Sequence, residues 1–342
     1  MRRRPSWRTV AGAVMVAALV AGTAWQAWNG LRQHIAQMPG PLEATRDVVV
    51  PRGDTAHVAA ALAAAGVIRH PWEFRLAAAL TRDQGTLHAG EFAFPAHATV
   101  RDVLVILRTA RPVAHRLTLP EGLTAQQITR LFDTADAATG RTPAISDGSV
   151  LPQTYFYPRG TTRAALVERA HAALDAALAA AWAKRVPDSA LKTPRDALIL
   201  ASIVERETAR PDERPHVAAV FLNRLHAGMR LQSDPTVVYV ASGGAGVLDH
   251  RLTRAELETV SAYNTYVVTG LPPGPICAPG QGAIDAVLHP ASSDDLYFVA
   301  DGSGGHAFAR TLGEHLRNVA HLRALTAVPV PGPALPPPGT PQ

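Results

Sequence analysis

The chain predicts an α+β fold carried behind a single N-terminal transmembrane helix: a small strand–helix domain, then a mainly helical domain that ends in a β-hairpin or small sheet. Three observations predict it. Thr9 to Trp28 contains no charged residue; a strand–Pro–turn–Thr–helix phrase recurs between residues 48 and 132; and beyond residue 150 long stretches of apolar residues recur at helical spacing. The 342 residues suffice for two domains with real cores.

Roughly 20 apolar or small residues cross a bilayer as a helix, so Thr9 to Trp28 is a membrane-anchor candidate. Arg2, Arg3, Arg4 and Arg8 precede it, which places the N-terminus in the cytoplasm, and Trp7, Trp25 and Trp28 stand where interfacial aromatics belong. An uncleaved anchor (residues 1–28 with its tip) is preferred to a cleaved signal peptide, because the apolar run is long and ends in tryptophans. The remainder is then expected on the periplasmic side of the inner membrane. The net charge of +5 owes much to those first arginines, and the rest is scattered without a basic stripe, so no nucleic-acid partner is expected. Cys277 is the only cysteine, which excludes an intramolecular disulfide.

Residues 29–46 form a polar linker. In residues 47–135 the recurring phrase appears as Val48 to Thr55, Phe92 to Thr99 and Leu117 to Thr124, each with Thr as the expected N-cap of the helix that follows. This region resembles the LysM-like module, a strand–helix–helix–strand unit that binds N-acetylglucosamine-containing glycans; a spacer domain that binds nothing is the competing reading. Asp136 to Gly148, small and polar, marks the expected boundary. A second domain, residues 145–325, opens with aromatic Tyr155-Phe156-Tyr157 and a helix from Arg163 to about Lys184. Next comes a helix announced by Thr193 as N-cap, Pro194 in the first position and Asp196 at capping-box spacing, carrying Glu205 and Glu207 near its end and expected to stop at Arg210-Pro211. Val217, Val220, Phe221 and Leu225 trace another helix, which Gly228 can end. Asp234-Pro235 reads as an N-cap and first turn; Thr236 to Val240 is β-branched and fits a strand or a helix, with helix preferred. Gly270 to Pro275 is a proline-rich loop able to wall a cleft, and Leu296 to Ala300, the turn Asp301 to Gly305, and His306 to Ala309 form a hairpin. Residues 326–342 form a Pro-rich tail expected to be disordered.

Two carboxylates near the end of an apolar helix are the chemical centre of the chain. A carboxyl held against a core or cleft resists ionising and can donate a proton near neutrality. The histidines show no metal-ligand spacing, so neither a metal nor another cofactor is expected.

Ala201 to Thr208, Val220 to Leu225, Gly228 to Thr236, Tyr263 to Tyr266, Gly270 to Ile276 and Leu296 to Gly302, in this order, resemble the MltG (YceG-like) family of endolytic murein transglycosylases. Gln153, where an acid is usual, and Leu316, where Asn is common, depart from the family pattern. The resemblance implies cleavage, without water, of the β-1,4 bond from N-acetylmuramic acid to N-acetylglucosamine in nascent peptidoglycan strands. It leaves a 1,6-anhydro end and terminates elongation beside the synthases. One acid then acts in turn as proton donor and acceptor. Glu207 is the expected acid because Glu207-Thr208 is similar to the Glu-Ser of other lytic transglycosylases; Glu205 is the alternative. Gln232, Asp234, Tyr263, Asn264 and Tyr266 are expected to line the glycan cleft, with amides and phenols bonding hydroxyls and rings covering pyranose faces. A muramidase using water, with Asp234 as second carboxylate, and a non-catalytic glycan-binding scaffold are the competing functions.

Overall fold

A computed structural model describes residues 15–16, 18–26, 29–30, 37–187 and 190–326. The expected membrane segment is thus described only in part: residues 15–16 and 18–26 are helical, and among the described residues no helix is long and apolar enough to cross a membrane. The N-terminal tip that was expected in the cytoplasm and the tail beyond residue 326 lie outside the described residues. The structure is α+β, with short two-stranded sheets among helices, and its described residues group into two compact units. One lies within Met1–His115 and Phe156–Gly160, the other within Arg116–Tyr155 and Thr161–Gln342.

In the first unit β1 (Arg46–Val50) pairs antiparallel with β2 (Gly90–Phe94), Val48 opposite Phe92. Strand alternation puts Val48, Val50, Phe92 and Phe94 on one buried face. Against it pack α1 (Thr55–Ala64), α2 (Pro71–Leu80) and α3 (Val100–Thr109), through Leu62, Phe74, Val103 and Leu107. Of the expected N-caps, Thr99 closes a capping box with Asp102, whereas α1 is capped by Asp54, one residue before the expected Thr55, because the Asp54 carboxylate reaches the His57 N–H at 2.8 Å. The sequence pattern did not disclose α2. Its Ala-rich composition hides the apolar stripe, and Phe74 is the one large side chain it buries.

The strands β3 (Ala114–Thr118) and β4 (Thr154–Pro158) lie where the chain passes between units. The helix α4 (Ala125–Asp133), expected with the first domain, belongs to the second unit. Gly122 N–H donates to Ala278 O, Ala278 N–H to Leu123 O, and Ala125 N–H to Asp147, tying its start to that unit's core.

That core forms around α6 (Pro194–Glu207), which the long α5 (Arg163–Ala183), α7 (Arg214–His226) and α10 (Gln281–Leu288) surround. The Thr193–Asp196 capping box and Pro194 start α6 as its sequence predicts. Ala197, Ile199, Leu200, Ala201, Ser202, Ile203 and Val204 are all buried, so the helix passes through the middle of the domain. Its one buried hydroxyl is satisfied: Ser202 donates to Ile199 O and accepts from Ile276 N–H. The residues 234–241 are helical (α8, Asp234–Ala241), with Ser233 at the N-cap position and Asp234 the first helical residue, so the helix starts one residue earlier than expected. A short α9 (Arg254–Leu257) follows. Finally β5 (Tyr297–Ala300) pairs with β6 (His306–Ala309), and α11 (Leu312–Thr326) follows the pair. The turn holds because Gly302 (φ 84°) and Gly304 (φ 91°) take left-handed conformations while the Asp301 carboxylate accepts the Ser303 and Gly305 N–H groups.

Candidate active site

At residue 208 the chain leaves the helix for an extended conformation (φ −136°, ψ 131°), so α6 ends just as it emerges from the core. Glu205 and Glu207 occupy its last turn, and two residues of helix rotate a side chain by about 200°. The two acids therefore meet different surroundings. Glu205 is anchored: Arg214 Nη2 donates to its Oε1 at 3.0 Å and Gly280 N–H, at the start of α10, donates to its Oε2 at 2.9 Å. Glu121 approaches the same guanidinium at 3.5 Å. Burial raises the pKa of Glu205, opposed by the Gly280 N–H and the Arg214 charge.

Among the described residues Glu207 has one hydrogen-bond partner, Ser233, whose Oγ donates to Oε2 at 2.9 Å. Burial pushes its pKa up to about 7; the Asp234 charge acts the same way, while the Ser233 donor, His306 and Arg224 oppose it. Near neutrality this carboxyl is divided between acid and conjugate base, the state required of a group that must give and then take one proton.

The side chains around Glu207 are held from several elements. Arg224 of α7, 8% exposed, donates to Leu231 O (2.7 Å) and Leu296 O (2.6 Å), fixing a cation that acts on Glu207. His306 on β6 is oriented by Glu213, whose carboxylate pairs with its Nδ1 at 2.7 Å and accepts its backbone N–H at 3.1 Å. Tyr266 donates its phenol to Asp234 Oδ1 at 2.5 Å, and both are electrostatically coupled to Glu207. Gln232 stands exposed before Ser233 with a left-handed backbone (φ 52°), held by its N–H to Thr265 O at 3.1 Å.

Of the residues expected in the cleft, Asp234 and Tyr266 thus stand beside Glu207, and Gln232 approaches Arg224 Nη1 at 3.5 Å. Asn264 does not line a cleft. It is fully buried, its amide donates to Glu256 O, Leu257 O and Thr259 O, and its carbonyl accepts Tyr266 N–H, so it folds the loop that presents Tyr266. Tyr263 turns elsewhere, its ring 5.1 Å from that of Tyr239. Ser233, Arg224, His306 and Glu213 were not singled out as site residues. Ser233 and Arg224 do lie inside two of the recognised motifs; His306 offered only its place after a glycine-rich turn.

The YceG-like family model matches residues 48–321, most of the chain and parts of both units. The chain belongs to the YceG-like family. Two similar proteins are named endolytic murein transglycosylase. That of Bacillus subtilis strain 168 is 45% identical over 118 residues, 34% of this chain and 32% of its own length. That of Streptococcus pneumoniae strain D39 is 29% identical over 323 residues, 80% of this chain and 57% of its own. The YceG-like chain therefore spans little more than half the length of these curated relatives, or less. A crystal structure of a yceG-like protein from Listeria monocytogenes shares 28% identity, covering 80% of this chain and 99% of that one, with a TM-score of 0.49.

Proposed function

We propose that this chain is a membrane-anchored endolytic murein transglycosylase in which Glu207 is the catalytic acid and base. The observation that carries the reading is a buried carboxyl, its proton affinity raised to about 7, at the emergent end of the central helix of a YceG-like domain. Protonated Glu207 gives its proton to the glycosidic oxygen of the leaving N-acetylglucosamine. The resulting carboxylate takes the proton of the muramic C6 hydroxyl, whose oxygen attacks C1 within the same sugar and closes the 1,6-anhydro ring. No water is consumed. Ser233 steadies the carboxylate form, and the fixed Arg224 charge disfavours too high a proton affinity. Gln232, Asp234 and Tyr266 supply polar contacts to the sugars. Glu205, held by Arg214 and Gly280, secures the helix end.

In the same reading Thr9 to Trp28 anchors the chain in the inner membrane with the catalytic domain on the periplasmic side, where nascent strands and their synthases are met. The order β1–α1–α2–β2, with its antiparallel strand pair, supports a LysM-like module in the first unit. The test is the mass of products released from uncrosslinked glycan strands. Anhydro ends that vanish in Glu207→Gln support the proposal; reducing ends would make the protein a water-using muramidase, and no fragments at all would leave a glycan-binding scaffold.

A further inference from the structure

A cavity of about 680 Å³ opens in the second unit, lined in part by Asp147, His171, Arg195, Tyr239 and Tyr263. None of the side chains found around Glu207 lines it. Leu198, which does, precedes Glu207 by nine residues of α6, and Tyr239 follows Asp234 by five residues of α8, so the cavity stands on the order of 10 Å from the acid along both helices.

Its walls are fixed. Tyr239 donates its phenol to Asp147 Oδ2 at 2.8 Å, and Asp147 Oδ1 accepts Ala125 N–H at 2.6 Å. The Tyr239 and Tyr263 rings meet at 41°. The proline-rich loop forms one side: Gly274 lies so near Tyr263 that a Cβ there would come within 2.9 Å of the phenol oxygen. Arg195, exposed, donates one N–H to Pro273 O at 3.1 Å, and His171 Nε2 pairs with Ser149 Oγ at 3.2 Å.

The volume is that of a small-ligand site. Aromatic faces suit the apolar face of a sugar ring, and the hydroxyl, carboxylate and guanidinium groups suit its hydroxyls. Asp147 and Asp175 oppose Arg195, so no single sign of charge selects an ion, and a neutral polyhydroxyl ligand is favoured over a charged stem peptide. We propose that this cavity is a distal glycan subsite that holds a pyranose of the strand some rings away from the bond being cut. The site would favour strands long enough to occupy it and the catalytic acid together, which rests on the transglycosylase reading above.

Binding tests the site separately from catalysis. The full chain carrying Glu207→Gln is titrated with chitotriose, and separately with a sugar-free stem peptide, while the methyl resonances of Leu178 and Leu198, which line the cavity, are followed by NMR. Saturable shifts with chitotriose are expected, with Tyr263→Ala and Arg195→Ala each weakening binding about tenfold. Arg195 is exposed, so an unchanged thermal midpoint for its variant keeps the comparison valid if Tyr263→Ala fails to fold. No methyl shifts, shifts with peptide but not sugar, or undiminished affinity in folded Arg195→Ala would overturn the subsite. A wild-type enzyme that cleaved no glycan would sink the catalytic reading and leave this binding result standing.

Discussion

Replacing Glu207 by Gln should slow cleavage by orders of magnitude and at the same time stabilise the protein at alkaline pH, a combination that a solvated or ion-paired acid would not give. Burial raises the Glu207 pKa from 4.5 to about 7. Between those values the native state holds a proton that the unfolded chain has released. Stability is therefore full below about pH 4.5, declines as pH rises through 7, and is level above, a loss of about 3 kcal/mol for two and a half units at ~1.36 kcal/mol each. Gln resembles the protonated form and does not titrate. Denaturant unfolding of Glu207→Gln should thus match wild type at pH 4 and exceed it by about 3 kcal/mol at pH 8, while release of anhydro ends falls about 10²- to 10⁴-fold. If the variant were no more stable than wild type at pH 8, the carboxyl would not be held by burial in its acid form. If it still cleaved strands at the wild-type rate, Glu207 would not be the acid.

Ser233→Ala removes the hydroxyl donor that stabilises the Glu207 carboxylate, so the alkaline limb of the pH–rate profile should move up by about 1–2 units; a downward move would contradict the geometry. Glu205→Gln deprives Arg214 of its closest carboxylate and should cost about 3 kcal/mol in thermal unfolding. Its folded fraction should still produce anhydro ends with an unmoved alkaline limb, and loss of cleavage in a folded variant would transfer the catalytic role to Glu205. Asn264→Ala takes their side-chain partner from the Leu257 and Thr259 carbonyls and the Tyr266 N–H of its loop, predicting a loss of about 2–3 kcal/mol in denaturant unfolding. A direct sugar contact would instead raise KM with stability unchanged. Gln232→Gly relieves a left-handed backbone and should stabilise by about 1 kcal/mol on unfolding.

Local signals made much of the architecture legible. The start of α6 follows from its capping box and Pro194, whereas its end falls at Glu207, short of the expected stop at Arg210-Pro211, because Thr208 turns extended; the final hairpin follows from apolar alternation on either side of a glycine-rich turn. The position of α4 was not legible, because its attachment depends on Ala278 and Asp147, both distant in sequence. The site divides in the same way. Glu207, Asp234 and Tyr266, which the structure brings together, each lie in a recognisable motif. Tyr263 and Asn264 share Tyr266's motif yet serve other ends, since consecutive loop residues point in different directions and adjacency says nothing of which face each takes. Arg224 and His306 converge on Glu207 only through tertiary packing; no spacing in the chain relates residues 207, 224 and 306.

The contrast between the two glutamates follows from where the helix ends. Had α6 continued past residue 207, both acids would have stayed in regular helix with a further turn of neighbours beside them. Instead the break at Thr208 lets α7 begin at Arg214, close enough for that guanidinium to bind Glu205, while Glu207, about 200° around the axis, meets the Ser233 N-cap of α8. A full countercharge at 3.0 Å and a backbone N–H hold both oxygens of Glu205 as acceptors. A neutral hydroxyl is a weaker partner. It orients the Glu207 oxygen without committing it to the ionised state, and Arg224, turned toward the carbonyls of Leu231 and Leu296, acts on it through the field alone. One helix terminus thus supplies a rigid attachment on one side and, on the other, a carboxyl whose proton can leave and return.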